Sequence, residues 1–194
     1  MIRPLLLCLL ALVASPATAA APTYPGLPRV ALVTPYGPIV IALETKRAPI
    51  TAGNFLKYVD QKRFDGTGFY RAARTGGEGL IQGGINHVML RSLPPIAHEP
   101  TTKTGLKHTD GTVSMARNDP GTAMGDFFIT IGPSPALDAG PNHPGYAAFG
   151  HVVRGMDVVK RILAAPTFPG GWSRQTIGQS IRQPIAIVRA QRVR

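Results

Sequence analysis

Gly68-Phe69-Tyr70-Arg71, followed by Gly79-Leu80-Ile81-Gln82-Gly83-Gly84, decides how this chain is read. Arg71 sits in aromatic and apolar company, which fixes a cation rather than leaving it to sweep through solvent. Gln82 closes a short apolar run and is followed by two glycines. Two hydrogen-bonding side chains on short strands, separated by a Gly-rich excursion, mark a site. Arg71 has two readings at this point: a structural ion pair, with Asp126 or Glu99 as partner, or a group that acts.

Working outward, the segments on both sides alternate between short apolar runs and Gly/Pro punctuation. Residues 29–34 (RVALVT) and 39–43 (IVIAL) flank Pro35-Tyr36-Gly37-Pro38 and read as a hairpin. Pro49 suits a helix first turn, and Ala52, Phe55, Leu56 and Val59 follow at i, i+3, i+4 and i+7. Strands are expected at 69–72, 80–82, 112–116, 127–131, 147–153 and 185–193, and a second helix at 155–163. Residues 86–110, 132–145 and 164–184 read as loops. About eight short strands with two helices indicate a barrel or sandwich with capping helices.

The beginning of the chain has a different character. Met1-Ile2-Arg3 is a short positive start, residues 5–13 are apolar, and Ser15-Pro16-Ala17-Thr18-Ala19-Ala20 offers small residues for cleavage. This is the layout of a secretory signal peptide over residues 1–20, cleaved after Ala19 or Ala20. The apolar run falls short of the ~20 residues a membrane span needs, so stable membrane insertion is not expected. Residues 21–28 read as a short leader, and 29–194 as one domain. The single cysteine, Cys8, lies in the signal segment. The remainder is therefore expected to hold no disulfide, thiol nucleophile or cysteine metal site.

A net charge of +11 raises the question of nucleic acid. The cations are scattered, with no run of four, and an exported protein meets little nucleic acid, so no nucleic-acid partner is expected. The five histidines show no HExxH-type spacing, which argues against a metal. Ser114 is not in a G-x-S-x-G elbow and has no evident paired base, so a hydrolase is not expected. The Gly76-Gly77-Glu78-Gly79 run lacks the Lys-Ser/Thr of a phosphate loop. What remains is an apolar set with a few polar members: Phe69, Arg71, Leu80, Gln82, Met115, Phe127 or Phe128, Leu137, Tyr146 and Phe149.

Five ordered motifs resemble the cyclophilins, the peptidyl-prolyl cis-trans isomerases. Phe69-Tyr70-Arg71 resembles their Phe-His-Arg, and Gln82-Gly83-Gly84 their Gln-Gly-Gly. Gly111-Thr112-Val113-Ser114-Met115-Ala116-Arg117 is similar to the Leu-Ser-Met-Ala segment, and Phe127-Phe128-Ile129 to Phe-Phe-Ile. Ala148-Phe149-Gly150-His151-Val152, followed by Gly155-Met156-Asp157-Val158-Val159, is similar to the Val-Phe-Gly-x-Val and Gly-Met-x-x-Val stretch. The likeness runs from residue 29 to about 193 and is nearest to the exported, periplasmic bacterial branch.

The resemblance implies a mainly β fold, a closed eight-stranded antiparallel barrel capped by two α-helices, with a proline-binding groove on its outer face. It gives Arg71 the part of the catalytic arginine, and Gln82 that of the glutamine holding Arg71 and the substrate carbonyl. Phe128 and Leu137 line the proline pocket, with Leu80 beside them, and Tyr146, also a substrate-binding residue, stands where many eukaryotic members have histidine. Phe69 packs behind Arg71, and Met115, Ala116 and Arg117 supply backbone to an extended peptide. It implies catalysis with no cofactor or metal on proline-containing polypeptides folding in the periplasm or outside the cell, and a monomer is the default expectation. A different class, a proline-peptide-binding module with little catalysis, is the alternative.

Three departures from the family pattern carry expectations of their own. Ten residues separate Arg71 from Gln82, and Gly79 replaces a phenylalanine, so a shallower pocket is expected. Ala136 stands where a tryptophan favours cyclosporin, so weak binding of that ligand is expected. Asp126 replaces a glutamine, to pair with Arg71 or to face solvent.

Overall fold

The computed structural model describes residues 24–86, 88–171 and 173–194. The expected signal peptide, and residues 21–23 of the leader, lie outside the described residues. β1 (Arg29–Thr34) and β2 (Gly37–Leu43) form the expected hairpin around a two-residue turn. Helix α1 (Pro49–Asp60) follows, then β3 (Thr67–Thr75) and β4 (Glu78–Gly84), a second hairpin turning at Gly76-Gly77. After a long connection come α2 (Thr101–Thr104), β5 (Thr112–Met115), β6 (Asp126–Ile131) and β7 (Ala148–Arg154). Helix α3 (Met156–Leu163), β8 (Thr167–Phe168), β9 (Ser180–Ile187) and β10 (Arg189–Val193) complete the chain.

Every strand pair is antiparallel, and the neighbours run β10-β1-β2-β7-β5-β6-β4-β3-β9-β8 in one curled sheet. Among the described residues, the structure thus replaces the expected closed eight-stranded barrel and two helices with a curled sheet of ten strands and three α-helices. The reasons are local. The C-terminal segment, expected as one strand, breaks at Val188, whose N–H turns away to Val33 O (2.8 Å). Its two halves then pair with different neighbours, β3 and β1. The loop after α3 adds the two-residue β8 against β9. The extra helix, α2, is one turn of Thr-rich chain ended by Gly105 in the left-handed conformation (φ 70°).

The inner face of the sheet carries the core. Phe55 of α1 meets Phe64, Phe127 and Phe149 at ring distances of 5.0–5.3 Å, and Phe69 meets Phe127 edge-on at 5.8 Å. Edge and tilted ring pairs of this kind contribute ~0.5–1.5 kcal/mol each beyond their burial. α3 buries Val158, Val159, Ile162 and Leu163 against β2 and the β3–β4 hairpin. α1 begins on Pro49, without a side-chain cap of its own. Glu99, 2% exposed, supplies one from 48 residues away, accepting from the N–H of Thr51 (2.7 Å) and of Ile50 (3.3 Å) and from the Thr51 hydroxyl (2.7 Å). A carboxylate at that end also meets the positive pole of the helix.

The strand register changes once in β3, and that change builds the outer face. Phe69 pairs with Gly83, but Arg71 pairs with Gln82, so Tyr70 is the extra residue of a β-bulge. Inward positions therefore move from Phe69 to Ala72, both buried in the core. Arg71, which plain alternation would place on the same face as Phe69, is re-aimed outward, as bulges beside functional sites commonly do. β4 and β6 keep strict alternation: Ile81, Phe127 and Ile129 face in, while Gln82 and Phe128 face out and pair with one another.

Candidate active site

The bulge and the register set four side chains in one row across the outer face: Arg71 on β3, Gln82 on β4, Phe128 on β6 and Ser114 on β5. Arg71 and Gln82 are joined directly, Arg71 Nη1 donating to Gln82 Oε1 at 2.8 Å. The ten residues between them only lengthen the hairpin beyond the site. Arg71 Nε donates to Gln179 Oε1 at 2.8 Å. Gln179 is itself fixed: its backbone O accepts from Ala72 N (2.8 Å), and its Nε2 donates to Gln175 O (2.8 Å). The half-buried guanidinium is thus clamped by two carboxamides. Burial pulls its pKa below the ordinary arginine range, with Tyr146 and Tyr70 acting the other way; an arginine remains a cation throughout. Of the five N–H donors of a guanidinium, these bonds occupy the Nε position and part of Nη1, which leaves Nη2 without a hydrogen bond among the described residues.

The ion pairs considered for Arg71 have other engagements. Glu99 caps α1. Asp126 neither faces solvent nor serves Arg71 directly. It is 6% exposed and accepts from Asn86 N at 2.8 Å. Burial first, and the Asp126 charge next, push the Tyr70 hydroxyl far above its ordinary pKa, so it stays a protonated phenol.

Beside this clamp lies a cavity of about 800 Å³. Arg71, Leu80, Gln82, Ala116, Arg117, Phe128, Leu137 and Tyr146 line it, together with Asn86, Asn118, Thr122, Met124, Asp126, Ser173 and Thr176. Phe128 is its floor, packed edge-on against Tyr146 at 5.4 Å. Arg117 stacks over the Tyr146 ring at 4.8 Å and donates to Asn118 O at 3.0 Å and to Gly145 O. Phe69 was expected to pack behind Arg71, and Met115 to offer backbone to a peptide. Phe69 is fully buried in the core behind the sheet, as its pairing with inward-facing positions requires, and Met115 is 2% exposed opposite the inward-facing Phe127. Of the backbone expected to meet a peptide, Ala116 N is already bonded to Asp126 O at 2.9 Å.

Gly79 has φ +137°, and a Cβ there would lie 2.0 Å from Ala73 O. No side chain can rise from that position, so the pocket wall on this side is Leu80. The hairpin is tied down instead by Arg74, which reaches the C-terminal end of α3 and donates to Leu163 O (2.6 Å) and Ala165 O.

A second polar constellation lies under the floor. His108, expected in a loop, hydrogen-bonds Asp138 through Nδ1 (2.8 Å) and Ser114 Oγ through Nε2 (2.9 Å). Ser114 therefore does have a paired base, contrary to expectation. It is nevertheless 0% exposed, so no substrate reaches it. Burial lowers the His108 pKa against the opposing hydrogen bond from Asp138. The neutral ring donates from Nδ1 to the carboxylate and accepts the Ser114 proton at Nε2. Its face stacks on Phe128 at 6.0 Å and 15°. Asp138 also accepts from His108 N (3.0 Å), which fastens the turn carrying Leu137. The trio braces the pocket.

Among the described residues no group of three or more His, Cys, Asp or Glu is arranged to hold a metal ion, and no helix is long and apolar enough to cross a membrane.

Comparison with known proteins agrees with this geometry. A family model described as cyclophilin type peptidyl-prolyl cis-trans isomerase/CLD matches residues 29–191. The chain is 36% identical over 166 residues to a peptidyl-prolyl cis-trans isomerase of Acinetobacter baylyi, covering 84% of each chain. It is 36% identical to peptidyl-prolyl cis-trans isomerase A of Dickeya dadantii over 71% of this chain and 72% of that one. It is 35% identical to peptidyl-prolyl cis-trans isomerase B of Escherichia coli over 71% and 85%. A cyclophilin type isomerase of Cryptosporidium parvum shares the fold with a TM-score of 0.68 and 22% identity, over 87% of this chain and 98% of that one. A second structure of that protein, obtained in the presence of the dipeptide Ala-Pro, gives a TM-score of 0.67. The chain belongs to the cyclophilin-type peptidyl-prolyl cis-trans isomerase family. Its enzyme class is accordingly that of an isomerase.

Proposed function

We propose that this enzyme speeds rotation about X-Pro amides in exported polypeptides as they fold, with Arg71 as the donor that stabilises the twisted bond. The observation that supports this most is the clamped guanidinium of Arg71, which lines the same cavity as Leu80, Phe128, Leu137 and Tyr146. The amide rotation barrier is ~18–20 kcal/mol, because conjugation stiffens the C–N bond. Uncatalysed exchange at proline takes roughly tens to hundreds of seconds. No nucleophile is needed; the enzyme must favour the twisted form over both planar forms. As conjugation is lost, the proline nitrogen gains a lone pair, which can accept from Arg71. Phe128, Leu137, Leu80 and Tyr146 hold the ring while the acyl side turns. Gln82 Nε2 spends one N–H on Tyr70 Oη (2.9 Å), and a carboxamide nitrogen carries two. The other serves the substrate carbonyl. A donor fixed before reaction, in a site low in water, needs no reorganisation as charge develops.

The exported setting rests on the layout of residues 1–20 and is read as periplasmic or secreted, nearest the periplasmic bacterial branch, with one chain as the working unit. Mass spectrometry of the mature N-terminus and cell fractionation test it: cleavage near Ala19 or Ala20 and release with the envelope fraction are expected, and an intact cytoplasmic chain would refute export. One observation favours a second reading. Gly79 leaves Leu80 as the pocket wall on that side in place of a phenylalanine, which suits a module that binds proline peptides and catalyses little. NMR exchange spectroscopy of an Ala-Pro peptide separates the two readings. Accelerated cis-trans exchange is expected, and binding without acceleration would favour the module.

A further inference from the structure

Arg71 is held at two of its nitrogens, and the second holder comes from 108 residues further along the chain. Nη1 donates to Gln82 Oε1 and Nε to Gln179 Oε1, both at 2.8 Å. The guanidinium cannot swing about its side-chain torsions without breaking one of these bonds. A slip of register brings Gln179 there. Phe69 pairs with Ile185, and an unbroken antiparallel register would set Gln183 opposite Arg71, but the observed partner is Ser180. The residue before Ser180 is thereby carried to the arginine. Its backbone is fixed on both sides: Gln179 O accepts from Ala72 N at 2.8 Å, and Gln179 N donates to Thr176 O at 3.1 Å. Its carboxamide is oriented as well. Nε2 donates to Gln175 O at 2.8 Å, and a backbone carbonyl can only accept, so Oε1 is the atom that faces Arg71. The flipped amide would lose both bonds. Gln179 does not itself line the cavity, although Arg71, Ser173 and Thr176 do.

We infer that Gln179 is a positioning residue of the isomerase: anchored on the short turn Arg174–Thr176, it fixes Arg71 at Nε and so holds the guanidinium on the proline nitrogen. This rests on the reading of Arg71 as the donor. Gln179 does not act on the substrate. An arginine side chain has much rotamer freedom to lose. With Gln82 alone to hold it, the guanidinium pivots about the one bond that remains.

The test measures cis-trans exchange of a saturating Ala-Pro peptide, its dissociation constant, and the protection of the Arg71 Nε–H against exchange with water, all in the whole enzyme. Gln179→Met keeps the length of the side chain and removes the acceptor. Misplacing a catalytic group by about an ångström can cost up to ~100-fold, so a loss of roughly tenfold in rate is expected for Gln179→Met. Peptide affinity should stay within about twofold, since the cavity lining is untouched and the lost contact matters only in the twisted state. The Arg71 Nε–H should lose its protection. Gln179→Glu returns an oxygen to Arg71 Nε and should recover most of the rate and the protection. Arg71→Ala, run alongside, separates the two claims. If it keeps the wild-type rate, the donor reading itself fails. If it loses the rate while Gln179→Met does not, the positioning role alone is overturned. A slow Gln179→Met with its Arg71 Nε–H still protected, or a Gln179→Glu variant as slow as Gln179→Met, also overturns it. Should Gln179→Met fail to fold, Gln179→Asn, too short to span Arg71 and Gln175, takes its place: slow beside a fast Gln179→Glu is expected, and a wild-type rate overturns the role.

Discussion

His108→Ala removes the brace beneath the proline pocket, and its cost can be worked from the contacts. The ring is 2% exposed, and it stacks on Phe128 and bonds both Ser114 and Asp138. Truncating a buried ring of this size costs a few kcal/mol in transfer and cavity terms, somewhat less than the ~3–5 kcal/mol seen for Phe or Trp. The Ser114 hydroxyl, 0% exposed, is left without its acceptor, and a stranded buried polar group costs ~1–3 kcal/mol. Asp138 loses less, because it keeps the His108 backbone N–H at 3.0 Å and lies nearer solvent. A total of about 3–5 kcal/mol follows, a large share of the ~5–15 kcal/mol typical of a domain. At ~2–4 °C per kcal/mol, Tm should fall by roughly 10–15 °C. Urea denaturation of His108→Ala, Ser114→Ala and the double variant checks the cause. The double should cost less than the sum of the singles by about 1–2 kcal/mol, since each single strands the partner of the other. Additivity within ~0.3 kcal/mol, or a His108→Ala cost below about 1 kcal/mol, would refute the bracing role. In the isomerase assay, KM should rise more than kcat falls, because Phe128 loosens while Arg71 stays clamped.

Other outcomes follow from the same contacts. Glu99→Ala should destabilise by about 2–3 kcal/mol, leaving Thr51 N–H buried and unpaired at the positive end of α1; Glu99→Gln should lose less in the same urea titration, and equal losses would refute a charge-assisted cap. Gly79→Ala should cost at least about 2 kcal/mol through strain at φ +137° and the clash with Ala73 O, and a melting curve matching wild type would rule out the hairpin geometry. The pH dependence has a definite sign. Burial sets the His108 and His151 pKa values below their ordinary 6.5, so the unfolded chain takes up protons that the folded chain refuses. Their contribution is complete above about pH 6.5 and is lost as pH falls from there toward the lower folded values. Asp138 also has burial raising its pKa, but the hydrogen bonds from His108 prevail and lower it, so its contribution holds above its ordinary 3.8 and goes in a second, more acidic stage. A stability curve flat from pH 7 to 5 would contradict the histidine assignment.

Much of the site was legible because it lies in short local patterns. The apolar setting of Arg71, the Gln82-Gly83-Gly84 stop and the Phe127-Phe128-Ile129 run all survive as neighbouring strands. What escaped depends on register and distance. The bulge at Tyr70 leaves no mark in the local pattern, yet it separates the fates of Phe69 and Arg71. Strand alternation would have excluded Met115, which shares the inward side with Phe127 across the β5–β6 pair. Gln179 comes from a segment with no periodicity, and only the shifted pairing of β9 on β3 brings it to Arg71. His108 and Ser114 lie six residues apart, but the base reaches the serine through a turn fastened by Asp138, a contact thirty residues away in sequence. Helix α2 was missed because its threonines are weak helix formers, although Gly105 offered a stop signal. Strand β8 is two residues long, below what alternation can reveal.

The most direct measurement is cis-trans exchange of an Ala-Pro peptide, catalysed by wild type, Arg71→Ala and Arg71→Lys, each checked for an unchanged melting curve. Removing one preorganised donor of this kind costs ~100–1000-fold where it carries the electrostatic stabilisation. Arg71→Ala should therefore lose at least about a hundredfold in kcat/KM. Arg71→Lys should recover little, because a lysine cannot bond Gln82 and Gln179 at once and still present a fixed donor to the groove. Exchange by Arg71→Ala within a few-fold of wild type, with the fold intact, would contradict the assignment of Arg71 as the group that stabilises the twisted amide.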